Sequence, residues 1–217
     1  MSSLVIRERI WSTRLSALGT FLGLPACVLL IRRAMEGGGH TRAAAFALFS
    51  MGMLAMFTAS AVYHYFEETP ARDLLRKFDY MGIPVMIAGS FTPFCVVLCW
   101  NKFGWALLTV IWSLAAVVCL LKLFRPQTPK SVFTGFAIGM GLLGLTLLPV
   151  IFRSLGTSSS LLMLFMGAVF ITGAVFFNRT NDRPLLQSFS AHDLWHIFIL
   201  VGSGSIFIVL YKDLAVF

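Results

Sequence analysis

Long apolar stretches alternate with short polar segments along the whole chain. Seven of these stretches have about the 20 residues that an α-helix needs to cross the hydrocarbon core of a bilayer. They cover roughly residues 15–33, 43–66, 80–101, 103–122, 131–152, 154–178 and 188–211. Because little sequence lies outside them, the pattern predicts one all-α integral membrane domain over residues 1–217, a bundle of seven transmembrane helices.

The segments between these stretches carry residues that interrupt helices. Three consecutive glycines, at 37–39, separate the first two stretches, and Pro126 and Pro129 flank the turn between the fourth and fifth. The polar segment 178–184 separates the last two stretches. Such residues are typical of turns, so the pattern predicts short loops between the helices.

Composition supports a chain that is surrounded mainly by lipid. Only 12% of the 217 residues are charged, about half the share in a soluble domain. The formal net charge is +8, but the basic residues are scattered over the loops and accompany no nucleic-acid-binding motif. The sequence therefore predicts membrane partners and no nucleic-acid partner.

The distribution of Lys and Arg predicts the orientation of the helices. If the N-terminus is cytoplasmic, eleven of the seventeen basic residues fall in cytoplasmic segments and six on the other side. This bias favours an N-in and C-out topology. Basic residues ahead of an apolar run also occur in signal peptides, but no small-x-small cleavage pattern follows here, which favours a retained first helix.

Five polar side chains lie at the ends of predicted spans, inside apolar sequence. Ser60 and His64 are near the end of the second span, Asp79 is at the start of the third, and His192 and His196 are at the start of the seventh. Polar groups in a membrane are costly and often functional. Because the spans alternate in direction, all five groups should lie near the cytoplasmic side, at about the same depth.

The residue types in this set are those of a zinc site. His192 and His196 have i,i+4 spacing, so they share one helix face and can bind one ion. His64 would complete the three protein ligands of a catalytic Zn²⁺ site, which leaves a fourth position for water. We expect Asp79 to hold or deprotonate that water and Ser60 to donate a hydrogen bond beside it.

Other interpretations of the same residues stay open at this point. Each histidine alone is typical of a hydrogen bond between helices, and Asp79 alone is typical of a helix cap. His192-Asp193-x-x-His196 is also a variant of the HExxH zinc motif, with Asp193 as the general base. Because Asp is shorter than Glu and the helix lacks a downstream third ligand, we expect Asp193 instead to pair with a loop cation such as Arg183, or to face interfacial water.

Four motifs together resemble the hemolysin III family, the bacterial branch of the progestin and adipoQ receptors, which is related more distantly to the alkaline ceramidases. The motifs are Ser60-x3-His64, Arg76-Lys77-Phe78-Asp79-Tyr80, the block from Ile87 to Phe94, and His192-x3-His196. The resemblance covers nearly the whole chain. The family usually has Asp-His at Asp79-Tyr80 and Thr-Tyr-Thr-Pro-Phe at 90–94, and neither departure changes an expected ligand.

The resemblance implies a zinc ion held by His64, His192 and His196 on the cytoplasmic side, with Ser60 and Asp79 around a bound water. It also implies hydrolysis of a lipid amide, which is ceramide-like in the better-understood relatives. We therefore expect a multi-pass protein that is located in the bacterial inner (plasma) membrane.

The leading hypothesis is therefore a zinc-dependent intramembrane hydrolase of a lipid amide or ester, with Asp79 as base and Ser60 positioning water or stabilising the oxyanion. The alternative is a lipid-sensing receptor or membrane-homeostasis regulator in which the zinc is structural. An open fourth metal position favours the hydrolase, and a closed one favours the receptor. Pore formation lacks support, because no span shows a sustained polar face.

Overall fold

The computed structural model describes residues 3–180, 184–186 and 189–217, which are almost entirely helical. The helices are α1 (Ser3–Tyr65), α2 (Arg72–Leu98), α3 (Lys102–Phe124), α4 (Lys130–Leu142), α5 (Leu148–Thr180) and α6 (Ala191–Val209). A 3₁₀ segment, Leu143–Leu147, joins α4 to α5, and a π-helical turn, Leu210–Leu214, extends α6. Two short antiparallel strands, β1 (Pro184–Leu186) and β2 (Phe189–Ser190), precede α6. The all-α membrane class is confirmed, and the last helix begins three residues later than predicted because 189–190 belong to a strand.

Helix α1 is a hairpin of two arms, Ile10–Gly37 and Gly39–Tyr65. Gly39 has a φ of 78°, a backbone conformation that glycine adopts without strain and other residues rarely do. The arms lie side by side, because the Oγ atoms of Ser16 and Ser60 are 3.2 Å apart. Two predicted spans therefore form one continuous, sharply turned element.

The stretch from Lys130 to Arg179 also reverses direction. It is 50 residues long, and a straight helix of that length would extend about 75 Å. Instead Lys130 Nζ donates a hydrogen bond of 3.0 Å to the Phe177 carbonyl oxygen. Gly156, near the middle of the stretch, has a φ of 82° and interrupts the helical backbone of α5. The two ends of this stretch consequently lie at the same level of the bundle.

Six helical stretches are long and apolar enough to cross a membrane within the described ranges. They are Ile10–Gly37, Gly39–Tyr65, Arg72–Leu98, Lys102–Phe124, Lys130–Arg179 and Ala191–Leu214. The protein is thus a multi-pass integral membrane protein, as predicted. The count of six differs from the seven predicted spans only at Lys130–Arg179, which the prediction divides at 152–154.

Packing centres on α1, α2 and α6. Helix α1 packs along α2 and against α6, and α6 also packs against α5. The interior contains fully buried large side chains from most helices, including Phe46, Phe49, Phe94, Ile111, Met140, Leu210 and Leu214. The outer surface exposes apolar side chains such as Phe21, Val28 and Met51, as expected of a surface that contacts lipid.

Candidate metal centre

The beginning of α6 is fixed by a reciprocal pair of cap hydrogen bonds. Asp193 N donates to Ser190 Oγ at 3.2 Å, and Ser190 N donates to Asp193 Oδ2 at 2.8 Å. This capping box satisfies amide groups that the first turn leaves without helical partners. The helix therefore begins at Ala191, which places His192 in its first turn and His196 one turn later on the same face.

These two histidines meet His64, at the end of the second arm of α1. His192 Nε2 is 3.1 Å from His64 Nε2, and one ring nitrogen from each of the three histidines lies within 4.8 Å of the others. The His64 ring is 4.9 Å from that of His192 and 5.1 Å from that of His196, centroid to centroid. His64 and His196 are buried and His192 is half-buried.

The three nitrogens fit a metal ion. Zn–N bonds are about 2.0–2.1 Å, so two nitrogens on a tetrahedral ion are roughly 3.3 Å apart, close to the His64–His192 separation. A hydrogen bond between two neutral imidazoles gives a similar distance, so this pair alone does not distinguish a metal site from a hydrogen bond. His196 Nε2 favours the metal site, because it is buried and finds no hydrogen-bond partner among the described residues. Leaving such an atom unsatisfied costs about 1–3 kcal/mol, and a shared metal ion would satisfy it.

Ser60 and Asp79 lie beside the three histidines. All five side chains line one cavity of about 360 Å³. The Asp79 carboxyl interacts electrostatically with Ser60 and with His192. The structure thus places the five residues selected from the sequence around a single space, between the second arm of α1, the start of α2 and the start of α6.

The polar cavity that the histidines line adjoins an apolar cavity. The wall of the polar cavity also includes the charged side chains Glu67, Arg72, Arg76 and Lys130. The neighbouring cavity, of about 120 Å³, is lined almost entirely by apolar side chains of α2, α4, α5 and α6. Both cavities share four lining residues, Met56, Ile83, Trp195 and Ile199. A molecule with a polar group and an apolar chain can therefore contact both.

Asp193 has a structural role that the sequence did not indicate. Its side chain is fully buried, so the expectation that it faces interfacial water was wrong. Arg183, the expected cation partner, lies outside the described residues. Asp193 Oδ1 instead accepts a hydrogen bond of 2.5 Å from Ser12 Oγ, and Oδ2 accepts from Ser190. A carboxylate held by these donors acts as a helix cap, which removes support from the HExxH-like interpretation.

Two site residues, Ser12 and Ser16, were missed in the sequence. Both are buried on the first arm of α1. Ser12 binds Asp193, and Ser16 Oγ lies 3.3 Å from His196 Nδ1. The available signal was the four-residue spacing of Ser12, Ser16 and Thr20, which places three hydroxyls on one helix face. Single serines in an apolar helix are common packing residues, so this signal is weak by itself.

Comparison with known proteins shows the family of this chain. Residues 8–207 match the family described as "Haemolysin-III related". The chain belongs to the hemolysin III family. It is 28% identical over 202 residues to "Hemolysin-3" of Bacillus cereus, covering 93% of this chain and 90% of that protein. It has the same identity, over 92% of the relative, to the "Hemolysin-3 homolog" of Bacillus subtilis (strain 168).

The resemblance drawn from the motifs is therefore confirmed. The part of this hemolysin III protein that matches the family runs from the first arm of α1 to α6. It includes every residue of the candidate metal centre, from Ser12 and Ser16 to His196. The site thus lies in the region that defines family membership, and both ends of that region contribute to it.

Proposed function

We propose that this hemolysin III protein is a zinc-dependent intramembrane hydrolase of a lipid amide or ester, similar to a ceramidase. The observation that carries the proposal is the unpartnered, buried Nε2 of His196. His196 lines the same cavity as two further histidines and a carboxylate. Three histidine ligands are the protein set that leaves a catalytic zinc with an open position.

The residues of the site take distinct roles in this proposal. His64, His192 and His196 hold the ion, which when bound supplies Lewis-acid chemistry: it acidifies water and polarises a carbonyl group. The Asp79 carboxylate accepts a proton from water and returns it to the leaving amine or alkoxide. Ser60, which lines the same cavity as Asp79, donates to that carboxyl and holds it beside the histidines.

The paired cavities support a lipid as the substrate. The polar cavity contains Arg72 and Arg76 on its wall, where the headgroup of a lipid would lie. The adjoining apolar cavity accommodates an acyl chain, because its lining is almost entirely apolar. The bond to be broken, at the junction of headgroup and chain, then lies next to Asp79 and the histidines.

The proposed topology has seven crossings, with the N-terminus inside, the C-terminus outside and the site near the cytoplasmic face of the bacterial inner membrane. The hydrogen bond between Lys130 and Phe177 supports two crossings within Lys130–Arg179, because it joins the ends of that stretch. The eleven-to-six distribution of basic residues supports the orientation.

A lipid turnover assay tests the function. The full-length protein, purified and loaded with Zn²⁺, is incubated with a panel of ceramides, N-acyl lipids and ester lipids, and the released fatty acid is measured by mass spectrometry. We expect release from at least one class by the wild type and none by His192→Ala. No release from any lipid by zinc-loaded wild type would contradict the hydrolase.

The second candidate is a lipid-sensing receptor or membrane-homeostasis regulator with a structural zinc. The adjoining polar and apolar cavities support the receptor, because they can bind a lipid whether or not a bond is cleaved. Coordination distinguishes the two functions. A fourth metal position filled by a protein side chain, together with lipid binding and no turnover, would favour the receptor.

A further inference from the structure

The first arm of α1 contributes a side chain to the metal centre beyond the five residues already described. Ser16 is fully buried, with 0% of its surface exposed. Its Oγ lies 3.3 Å from His196 Nδ1 and 3.2 Å from Ser60 Oγ. Ser60 and Asp79 line the same cavity. The two contacts of Ser16 therefore join His196 to Ser60.

The direction of each hydrogen bond of Ser16 follows from the protons available. A serine hydroxyl has a single proton to donate. In the 3.2 Å contact, Ser16 Oγ is the donor and Ser60 Oγ is the acceptor. Ser16 then has no proton left for His196 and must accept one. The donor is Nδ1–H of His196, which leaves the lone pair of that ring on Nε2.

We propose that Ser16 is a positioning residue of the metal centre, which holds His196 in the Nδ1–H tautomer and directs its Nε2 lone pair to the ion. This inference rests on the metal site of the proposed function. The unpartnered atom of His196 is Nε2, the atom to which this proton count assigns the lone pair. The partner of the second ring nitrogen commonly fixes the tautomer of a metal-binding histidine.

The same arm holds the helix that carries His196. Ser12 lies one turn before Ser16 and donates to Asp193, which forms the capping box of α6 with Ser190. Two successive turns of the first arm of α1 thus fix first the beginning of α6 and then its second histidine.

A direct test observes the tautomer in the wild-type protein. The chain contains four histidines, so their ring nitrogens can be assigned by single substitutions in long-range ¹H–¹⁵N spectra. The sample is full-length, zinc-loaded protein in lipid nanodiscs. We expect His196 to carry its proton on Nδ1. A proton on Nε2, or an Nδ1 that binds the ion, would overturn the proposal.

A metal-affinity series is the second test, with Zn²⁺ as the probe and a competing chelator as the readout. Ser16→Ala should bind Zn²⁺ about 10–100-fold more weakly, the usual effect of losing a partner of a metal-binding histidine. The matched control is Thr20→Val, one turn further along the same arm. The Thr20 hydroxyl bonds to the Ser16 carbonyl oxygen and lies 3.5 Å from Thr58 Oγ1. Among the described residues it forms no side-chain hydrogen bond with a histidine, with Ser60, with Asp79 or with the Ser16 hydroxyl.

The outcomes separate this inference from the proposed function. Tight binding by wild type and Thr20→Val, with weaker binding by Ser16→Ala, supports the positioning role. Equal affinity in all three proteins would overturn the role of Ser16 and leave the hydrolase standing. A wild type that binds no Zn²⁺ would contradict the metal site itself, and the inference with it.

Discussion

His64 Nε2 and His192 Nε2 lie 3.1 Å apart, although 128 positions separate the two residues in the sequence. The contact joins the end of the second arm of α1 to the first turn of α6. His196, one turn further along α6, brings a third ring to the same point. The metal centre therefore depends on how these two helices pack, and substitutions that remove a single ring have a defined expected result.

Zinc should co-purify with the protein at about one ion per chain and should be lost in His192→Ala and His196→Ala, because two ligands do not hold a catalytic zinc. His40→Ala is the control, since His40 is exposed and lies at the bend of α1. Metal content is measured by elemental mass spectrometry. Stoichiometric zinc in a variant that carries both His192→Ala and His196→Ala would rule out this ligand set.

Replacing Asp79 with Asn should reduce hydrolysis while zinc is retained. The amide keeps the size of the carboxyl and leaves the three histidines in place, but it cannot accept a proton from water. General-base removal typically costs about 10²–10⁴-fold in rate. The measurement is fatty-acid release from the best lipid of the panel, with metal content determined on the same sample. A fully active Asp79→Asn would exclude this residue as the base.

Asp193→Asn should have the opposite profile, with activity largely kept and stability reduced. The carboxylate accepts from Ser12 and from both the amide and the hydroxyl of Ser190. An amide side chain offers only one oxygen for these donors, and each unsatisfied buried group costs about 1–3 kcal/mol. Thermal unfolding in detergent measures the loss. An inactive but stable Asp193→Asn, beside an active Asp79→Asn, would revive the HExxH-like alternative.

The orientation in the membrane gives a further prediction. A reporter fused after Phe217 should be active outside the cytoplasm, and a cysteine introduced near Asp79 should be reached only from the cytoplasmic side. Both follow from seven crossings and from the excess of basic residues in the segments assigned to the cytoplasm. A cytoplasmic signal from the C-terminal reporter would contradict the topology.

The apolar cavity predicts chain-length selectivity. Gly141 lines this cavity, whereas Gly139, on the same helix, does not. Among the described residues, no atom from another part of the chain lies within 4 Å of the position that a Cβ would occupy at either glycine. Gly141→Leu and Gly139→Leu therefore form a matched pair. Gly141→Leu should shift turnover toward shorter acyl chains, by about tenfold or more for each methylene that no longer fits. Equal chain-length profiles in both variants would place the acyl chain elsewhere.

Hydropathy and chain direction were sufficient to group His64, Asp79 and His192. Each lies at the end of a long apolar stretch, and alternation of the spans assigns those ends to one side of the membrane. Ionisable side chains are also rare in such apolar sequence, so they can be recognised as candidate functional residues. Ser16 has neither property, because a serine in a membrane helix is ordinary and its partner, His196, is 180 positions away.

The turn at Gly156 shows a second limit of the sequence. Between Lys130 and Arg179 the only charged side chain is Arg153, so hydropathy indicates a break near 152–154 without locating it. The structure interrupts the helix at Gly156. The deciding property is a positive φ at one residue, and several other glycines in this stretch are equally able to adopt it.

The contacts from Ser12 and Ser16 to α6 can form only late in the synthesis of the protein. A ribosome delivers Ser16, His64 and Asp79 to the membrane long before it makes His192 and His196. Until then, Ser12 lacks Asp193 and His64 lacks His192, the partners that they have in the complete bundle. Under the proposed function, capture of the metal ion would consequently be a late event that follows insertion of the last helix.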